Sequence, residues 1–220
     1  MFKTKEESLF WKIYIYLLSL SFIPNWFLDS SAKTFLDVGC GQGLPMKLIK
    51  LRHKNTYSVA IDLFEPYIEL CKKEKIYDKY FLGDIRKLPF KNKSFDVVMS
   101  YQVIEHLNKK DAIKLISKME SLAKRMVIIS TPIGKTSYHA DDNHLQFHKS
   151  FFFPEEFKKM GYKTIRVGGK SLYDEKSGLF YKIKHPFIQK LVYVVDVLLT
   201  PYYLIFQSKA DYYFFAFKKL

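Results

Sequence analysis

The residues able to do chemistry sit in short polar clusters, each placed at the end of an apolar run. The first is Asp37-Val38-Gly39-Cys40-Gly41-Gln42-Gly43, with a helical pattern opening at Leu44. A strand, a tight turn and a helix start in that order gather backbone amides beside the positive end of a helix dipole. Glycine supplies the positive φ and the close approach that such a turn needs. Pro45 suits the first helical turn, where no amide partner is lost. A polar or carboxylated ligand is expected against this turn. Asp62 follows Gly43 by 19 positions, close to where an acidic residue holds a ribose in nucleoside-binding βαβ units. Glu105-His106 and the loop histidines His139, His144 and His148 are candidates for taking a proton. A dinucleotide fingerprint would place a glycine where Leu44 stands, so a dehydrogenase ranks last.

These clusters need a scaffold, and the periodicity supplies one. Thr34–Val38, Tyr57–Leu63, Lys79–Leu82, Phe95–Ser100 and Met126–Ser130 read as buried strands. Leu44–Arg52, Glu65–Lys75 and Asp111–Lys124 read as the helices between them, the last with an apolar stripe at helical spacing. Strands alternating with helices predict an α/β fold with a doubly wound parallel sheet. A short helix from Pro154 to Met160 and strands at Tyr162–Val167 and Tyr212–Phe217 complete the expected elements.

Several of these segments together resemble the class I S-adenosylmethionine-dependent methyltransferases, in the methyltransferase type 11 and quinone-biosynthesis branch. Leu36-Asp-Val-Gly-Cys-Gly-Gln-Gly43 is similar to motif I, and Ala60-Ile-Asp62 to the acidic end of strand two. Gly83-Asp84-Ile85 before Leu88-Pro-Phe90 resembles the adenine-binding motif, Ser94–Val98 motif IV, and Val103-Ile-Glu-His-Leu107 the segment after strand four. The resemblance covers about residues 33–167 and the final strand. It implies a Rossmann-like seven-stranded sheet in the order 3-2-1-4-5-7-6, the last strand antiparallel, with helices on both faces. It implies S-adenosylmethionine as cofactor, held by Asp37, Gly39, Cys40, Gly41, Gly43, Asp62, Leu63, Asp84, Ile85 and Tyr101. Turn amides would face its methionine end. Asp62 would accept from both ribose hydroxyls, and Asp84 from the adenine amino group. An Asx turn is the alternative for Asp84. Glu105, His106 and His148 are the catalytic candidates, and for Glu105-His106 a helix-start and packing role stays equally open. Some quinone O-methyltransferases of this branch bind a divalent metal through Glu-x-x-Glu-His. Here Gln102 replaces the first acid, and a neutral amide is a poor ligand for a hard cation, so no metal is predicted.

The remaining expectations concern the acceptor and the surroundings. Residues 33–220 are expected to form the methyltransferase domain. Residues 1–32 would add an apolar cap helix, and an apolar helical insert would lie at about 170–209. These two greasy segments suggest a small hydrophobic acceptor, quinone-like or lipid. Core packing or dimer contact is the plainer reading of the insert, and a membrane-surface lid the sharper one. Net charge is +14, but only four of 36 basic residues are Arg (Arg52, Arg86, Arg125, Arg166). Arg supplies the rigid forks of base and phosphate reading, so no specific nucleic-acid partner is expected and an RNA methyltransferase ranks second. A cofactor-binding partner protein without acceptor chemistry is a further alternative. Two cysteines without a metal-type spacing, and acidic Glu6 and Glu7 where an export signal would be basic, favour a cytoplasmic protein, peripheral to a membrane at most.

Overall fold

The computed structural model describes residues 24–135, 144–169, 183 and 201–220, together with isolated helical positions at 192, 195, 198 and 199. Residues 1–23 of the cap helix expected over 1–32, His139 and most of the 170–209 insert lie outside the described residues.

Seven strands form one sheet in the order β3-β2-β1-β4-β5-β7-β6. They are β1 (Thr34–Val38), β2 (Tyr57–Asp62), β3 (Lys79–Leu82), β4 (Phe95–Tyr101), β5 (Ala123–Pro132), β6 (Lys163–Val167) and β7 (Tyr213–Lys219). The first five pair in parallel, and β7 runs antiparallel to both β5 and β6. The helices are α1 (Pro24–Phe27), α2 (Leu44–Arg52), α3 (Glu65–Lys73), α4 (Lys109–Leu122) and α5 (Pro154–Lys159). The strand order and the antiparallel last strand are those the resemblance implies.

Alternation along each strand divides the core in two. Leu36 and Val38 face a cluster that includes Leu115, Met119 and Phe157, whereas Phe35 faces one that includes Met46, Ile49 and Cys71. A sheet buried on both faces needs apolar side chains at successive positions, as β4 and β5 have. Full burial of each such side chain contributes about 1.5–3 kcal/mol. α4 begins at Lys109, earlier than its apolar stripe, because the Asn108 side chain caps it by accepting from the Asp111 amide (2.9 Å). It stops at Leu122 because Ala123 already pairs with Phe95 of β4.

In a parallel sheet the carboxyl ends of the strands open into the crevice where the strand order reverses, here between β1 and β4. Asp37, Asp62, Tyr101 and Thr131 all stand at or near those ends.

Candidate active site

The glycine turn is built by three left-handed glycines, Gly39, Gly41 and Gly43, with φ of 73°, 51° and 76°. Two of them also have no room for a side chain. A Cβ on Gly39 would lie 2.5 Å from Val103 Cγ2, and one on Gly43 2.7 Å from Ile76 Cδ1. Gly41 differs, because a Cβ there would meet nothing within 4 Å. The turn therefore packs tightly on both sides and opens in its middle.

The amides of the turn are directed inward rather than toward the opening. Gly39 N and Cys40 N both donate to the Ile61 carbonyl (2.8 and 3.2 Å), and Gly43 N donates to the Cys40 carbonyl (2.9 Å). Gly41 N donates to Asp62 Oδ2 (2.8 Å). The expectation that turn amides face a ligand thus does not hold for these four. Asp62 is the hub instead, since its Oδ1 accepts from Phe64 N (2.9 Å). A carboxylate offers about four lone pairs, so two ribose hydroxyls can still be accepted beside these amides. Burial pushes the Asp62 carboxyl upward against those two amides.

Asp37 is buried at the end of β1 and accepts from the Tyr77 hydroxyl at 2.6 Å. Burial pushes its carboxyl up to about 7. Tyr101 packs edge-on against Phe215, and burial, with the Asp37 charge second, raises its hydroxyl well above the usual value. Cys40 and Cys71 both lie under the turn and direct their thiols at the Gly41 carbonyl (3.6 and 3.3 Å).

Asp84 lies beyond β3 and makes the Asx turn weighed for it. Its Oδ1 accepts from Arg86 N (2.9 Å), which is the Asx turn, and both oxygens are gripped by the Arg86 guanidinium at 2.6–3.0 Å. That grip holds its carboxyl below the ordinary range. Leu63 is exposed and Ile85 half-buried, on the segments that follow β2 and β3.

The second half of the site follows β4. Ile104–His106 form one short 3-10 turn, which places Glu105 inward and His106 at the rim. Glu105 Oε2 accepts from the Thr131 hydroxyl at 2.9 Å. Its main-chain carbonyl accepts from Lys149 N and Ser150 N (2.7 and 3.1 Å) and so fixes the loop that carries His148. The rings of His106 and His148 lie 5.0 Å apart. His106 Nδ1 is 3.3 Å from the Phe147 carbonyl, to which it donates in the tautomer that leaves Nε2 as an acceptor. Lys109, at the start of α4, donates to the Phe151 carbonyl (2.8 Å) and covers the Phe152 ring. Burial raises the Glu105 carboxyl to about 8. Burial first, and the His148 charge second, lower His106 to about 4.

Of the three catalytic candidates, Glu105, His106 and His148 therefore come together, with one ligand atom of each within 4.8 Å of the others. Among the described residues Glu105 Oε1 has no hydrogen-bond partner. Gln102, by contrast, turns its carboxamide to Ser130 Oγ (2.7 Å). Tyr77, Arg86 and Val103 were not among the predicted site residues. Each meets its partner only through the fold, and Arg86 alone had a local signal, its position two residues after Asp84.

The family model described as "Methyltransferase domain" matches residues 36–128. An uncharacterized protein of Methanocaldococcus jannaschii, MJ0638, is 29% identical over 131 residues, which are 59% of this chain and 55% of that protein. The chain thus spans about half the length of this curated relative. Among solved structures, a SAM-dependent methyltransferase from Archaeoglobus fulgidus is similar with a TM-score of 0.61 and 19% identity, over 98% of this chain and 100% of that one. Magnesium protoporphyrin IX methyltransferase from Synechocystis PCC 6803, crystallised with SAH, is similar with a TM-score of 0.51 and 16% identity, over 76% and 83%. Over residues 36–128 the chain is thus similar to a methyltransferase domain, and its fold is that of the S-adenosylmethionine-dependent methyltransferase structures.

Proposed function

We propose that this chain moves a methyl group from S-adenosylmethionine to a small hydrophobic acceptor, quinone-like or lipid. The observation that carries the reading is the order of polar groups along the strand ends. Asp62 and Asp37 stand at the carboxyl ends of β2 and β1, and the Glu105-His106 turn follows β4; these strands are neighbours in the sheet. A nucleoside would be held at one end of that row and an acceptor received at the other. The open face of Gly41 beside Asp62 gives room for the cofactor where a Cβ meets nothing. When bound, S-adenosylmethionine supplies an activated methyl on a sulfonium.

What remains for the protein is to align, to exclude water and to hold a proton. Asp62 accepts from the ribose hydroxyls while keeping its two amides. Asp84 accepts from the adenine amino group with an oxygen lone pair that Arg86 leaves open. On the acceptor side the three candidates divide the work. Glu105, raised to about 8, holds its own proton near neutral pH and serves by fixing the His148 loop. His106, lowered to about 4, stays neutral there, so its ring nitrogen is open to an acceptor hydroxyl's proton. The exposed rings of Phe147, Phe151 and Phe153 border this half and suit an apolar acceptor.

Isothermal titration with S-adenosylmethionine tests the cofactor part: absence of binding, with Asp62→Ala behaving like the parent, sinks it. Transfer of labelled methyl into solvent-extractable rather than RNA or protein fractions of a cell extract tests the acceptor class.

A second reading rests on the unpartnered Glu105 oxygen. Two imidazoles and one carboxylate, converging within 4.8 Å, are also a donor set for a divalent transition metal. Methyl transfer that a chelator abolishes and zinc restores would favour it.

A further inference from the structure

The segment before β7 presents apolar side chains on the wrong side. Positions 192, 195, 198, 199 and 201–205 are helical. Val192 and Tyr203 are buried, and Leu204 packs against the core cluster that holds Phe215 and Phe217. That inner face is what a surface helix needs. The opposite face of such a helix is ordinarily polar. Here the described positions Val195, Leu198, Tyr202 and Ile205 recur three, four and three apart, with Phe206 following. All five are exposed, Leu198 to 71% and Ile205 to 74%. Trp26 and Phe27 are exposed as well. They belong to the same side of the sheet, since Leu28 joins that core cluster and the Phe27 ring lies 4.7 Å from Phe217.

We infer that this stripe is a docking face for the surface of a bilayer carrying anionic lipid. Charge chooses the occupant. Over residues 182–209 the sequence has Lys182, Lys184, Lys190 and Lys209 against a single Asp196, and the whole chain carries +14. A second copy would bring the same net positive charge, whereas an anionic leaflet attracts it. Tyr202, Phe206 and Trp26 are residue types that favour the headgroup level, with the aliphatic residues below. No described helix is long and apolar enough to cross a membrane. This inference stands independently of the methyl-transfer reading.

Vesicle flotation of the full chain is the test. Vesicles of phosphatidylcholine with about one-third phosphatidylglycerol should carry the protein up at low salt. Pure phosphatidylcholine should not, and roughly 1 M salt, where charges are screened beyond about 3 Å, should release most of it. Leu198→Glu with Ile205→Glu should lower the floated fraction at least about tenfold, because two aliphatic anchors become charged. An unchanged melting temperature and unchanged S-adenosylmethionine binding would show that the variant folds. The inference is overturned if the parent chain stays at the bottom with anionic vesicles. It is overturned equally if a folded double variant floats like the parent, or if light scattering finds a dimer that the substitutions split. Loss of cofactor binding in the parent would instead remove the methyltransferase reading and leave flotation as it was.

Discussion

The two halves of the candidate site are finished to different degrees. On the β1–β3 side each polar group is already satisfied within the protein. Asp37 has Tyr77, Asp62 has two amides, and Asp84 has Arg86. Past β4 the picture reverses. Glu105 keeps one oxygen without a partner among the described residues, and Phe147, Phe151 and Phe153 stay exposed. A ligand that every member of a family shares can be met by a preformed backbone cradle. A ligand that varies must be met by side chains on loops, and those stay incomplete until it arrives. The contrast agrees with the proposed division into a donor half and an acceptor half.

The strongest way to break this contrast is through the glycines. Gly39→Ala places a Cβ 2.5 Å from Val103 Cγ2 at a φ of 73°. It should destabilise the fold by about 3 kcal/mol, from left-handed strain and overpacking together. Val103→Ala in the same chain should return part of that loss. Gly41→Ala meets no atom and should cost only about 1 kcal/mol, yet weaken S-adenosylmethionine binding more than any loss of stability explains. Denaturant midpoints and calorimetry separate the two. If Gly41→Ala binds cofactor normally, the opening is not the cofactor's.

Asp62→Ala comes next. It removes an acceptor from two amides as well as from the ribose, so cofactor affinity should fall about a hundredfold, near 2.7 kcal/mol. His148→Ala should leave that affinity intact and reduce methyl transfer alone. A variant that moved both quantities together would merge the two halves.

How much of this could be read from the residues follows the same division. β1, α2 and β3 have the bounds that periodicity and turn residues predict, because their signals are local. β5 extends past both expected ends, since pairing with β7 carries it on to Pro132 and Ala123 already pairs with Phe95 of β4. Asp37 and Asp62 were legible because each stands at the end of a strand. Their partners were not: Tyr77 reaches Asp37 across 40 positions, and no spacing announces it. His148 borders the aromatic run Phe151–Phe153, but what fixes it beside His106 is the Glu105 main-chain carbonyl, which any residue type would possess.

The pH dependence of stability probes one buried acid from each half. Asp37 is raised from 3.8 to about 7 and Glu105 from 4.5 to about 8 by burial. Between those values the folded protein keeps protons that the unfolded chain has released. Stability should therefore fall as pH rises through about 4 to 8, by at most about 1.4 kcal/mol per pH unit for each group. Asp37→Asn should flatten the lower part of that slope while its amide oxygen still accepts from Tyr77. Glu105→Gln should flatten the upper part. A parent chain equally stable at both ends of the window would mean that neither acid is held protonated.

The smallest expected effect belongs to Arg86, and it tests whether the donor half is as preformed as its hydrogen bonds suggest. The guanidinium grips both Asp84 oxygens, but Arg86 is half exposed, and exposed pairs contribute about 0–1 kcal/mol. The Arg86 amide also holds Oδ1 and does not depend on the side chain. Arg86→Ala should leave the carboxylate aimed as before and change cofactor affinity by less than about fivefold, with the difference shrinking in salt. Asp84→Ala should do more, because it deletes the group that the adenine amino donates to. If instead Arg86→Ala equals Asp84→Ala, the backbone turn does not position the acid. The adenine end would then be completed by side chains, as the acceptor half is, and the line between a finished and an unfinished half would move to the Asp62 end of the row.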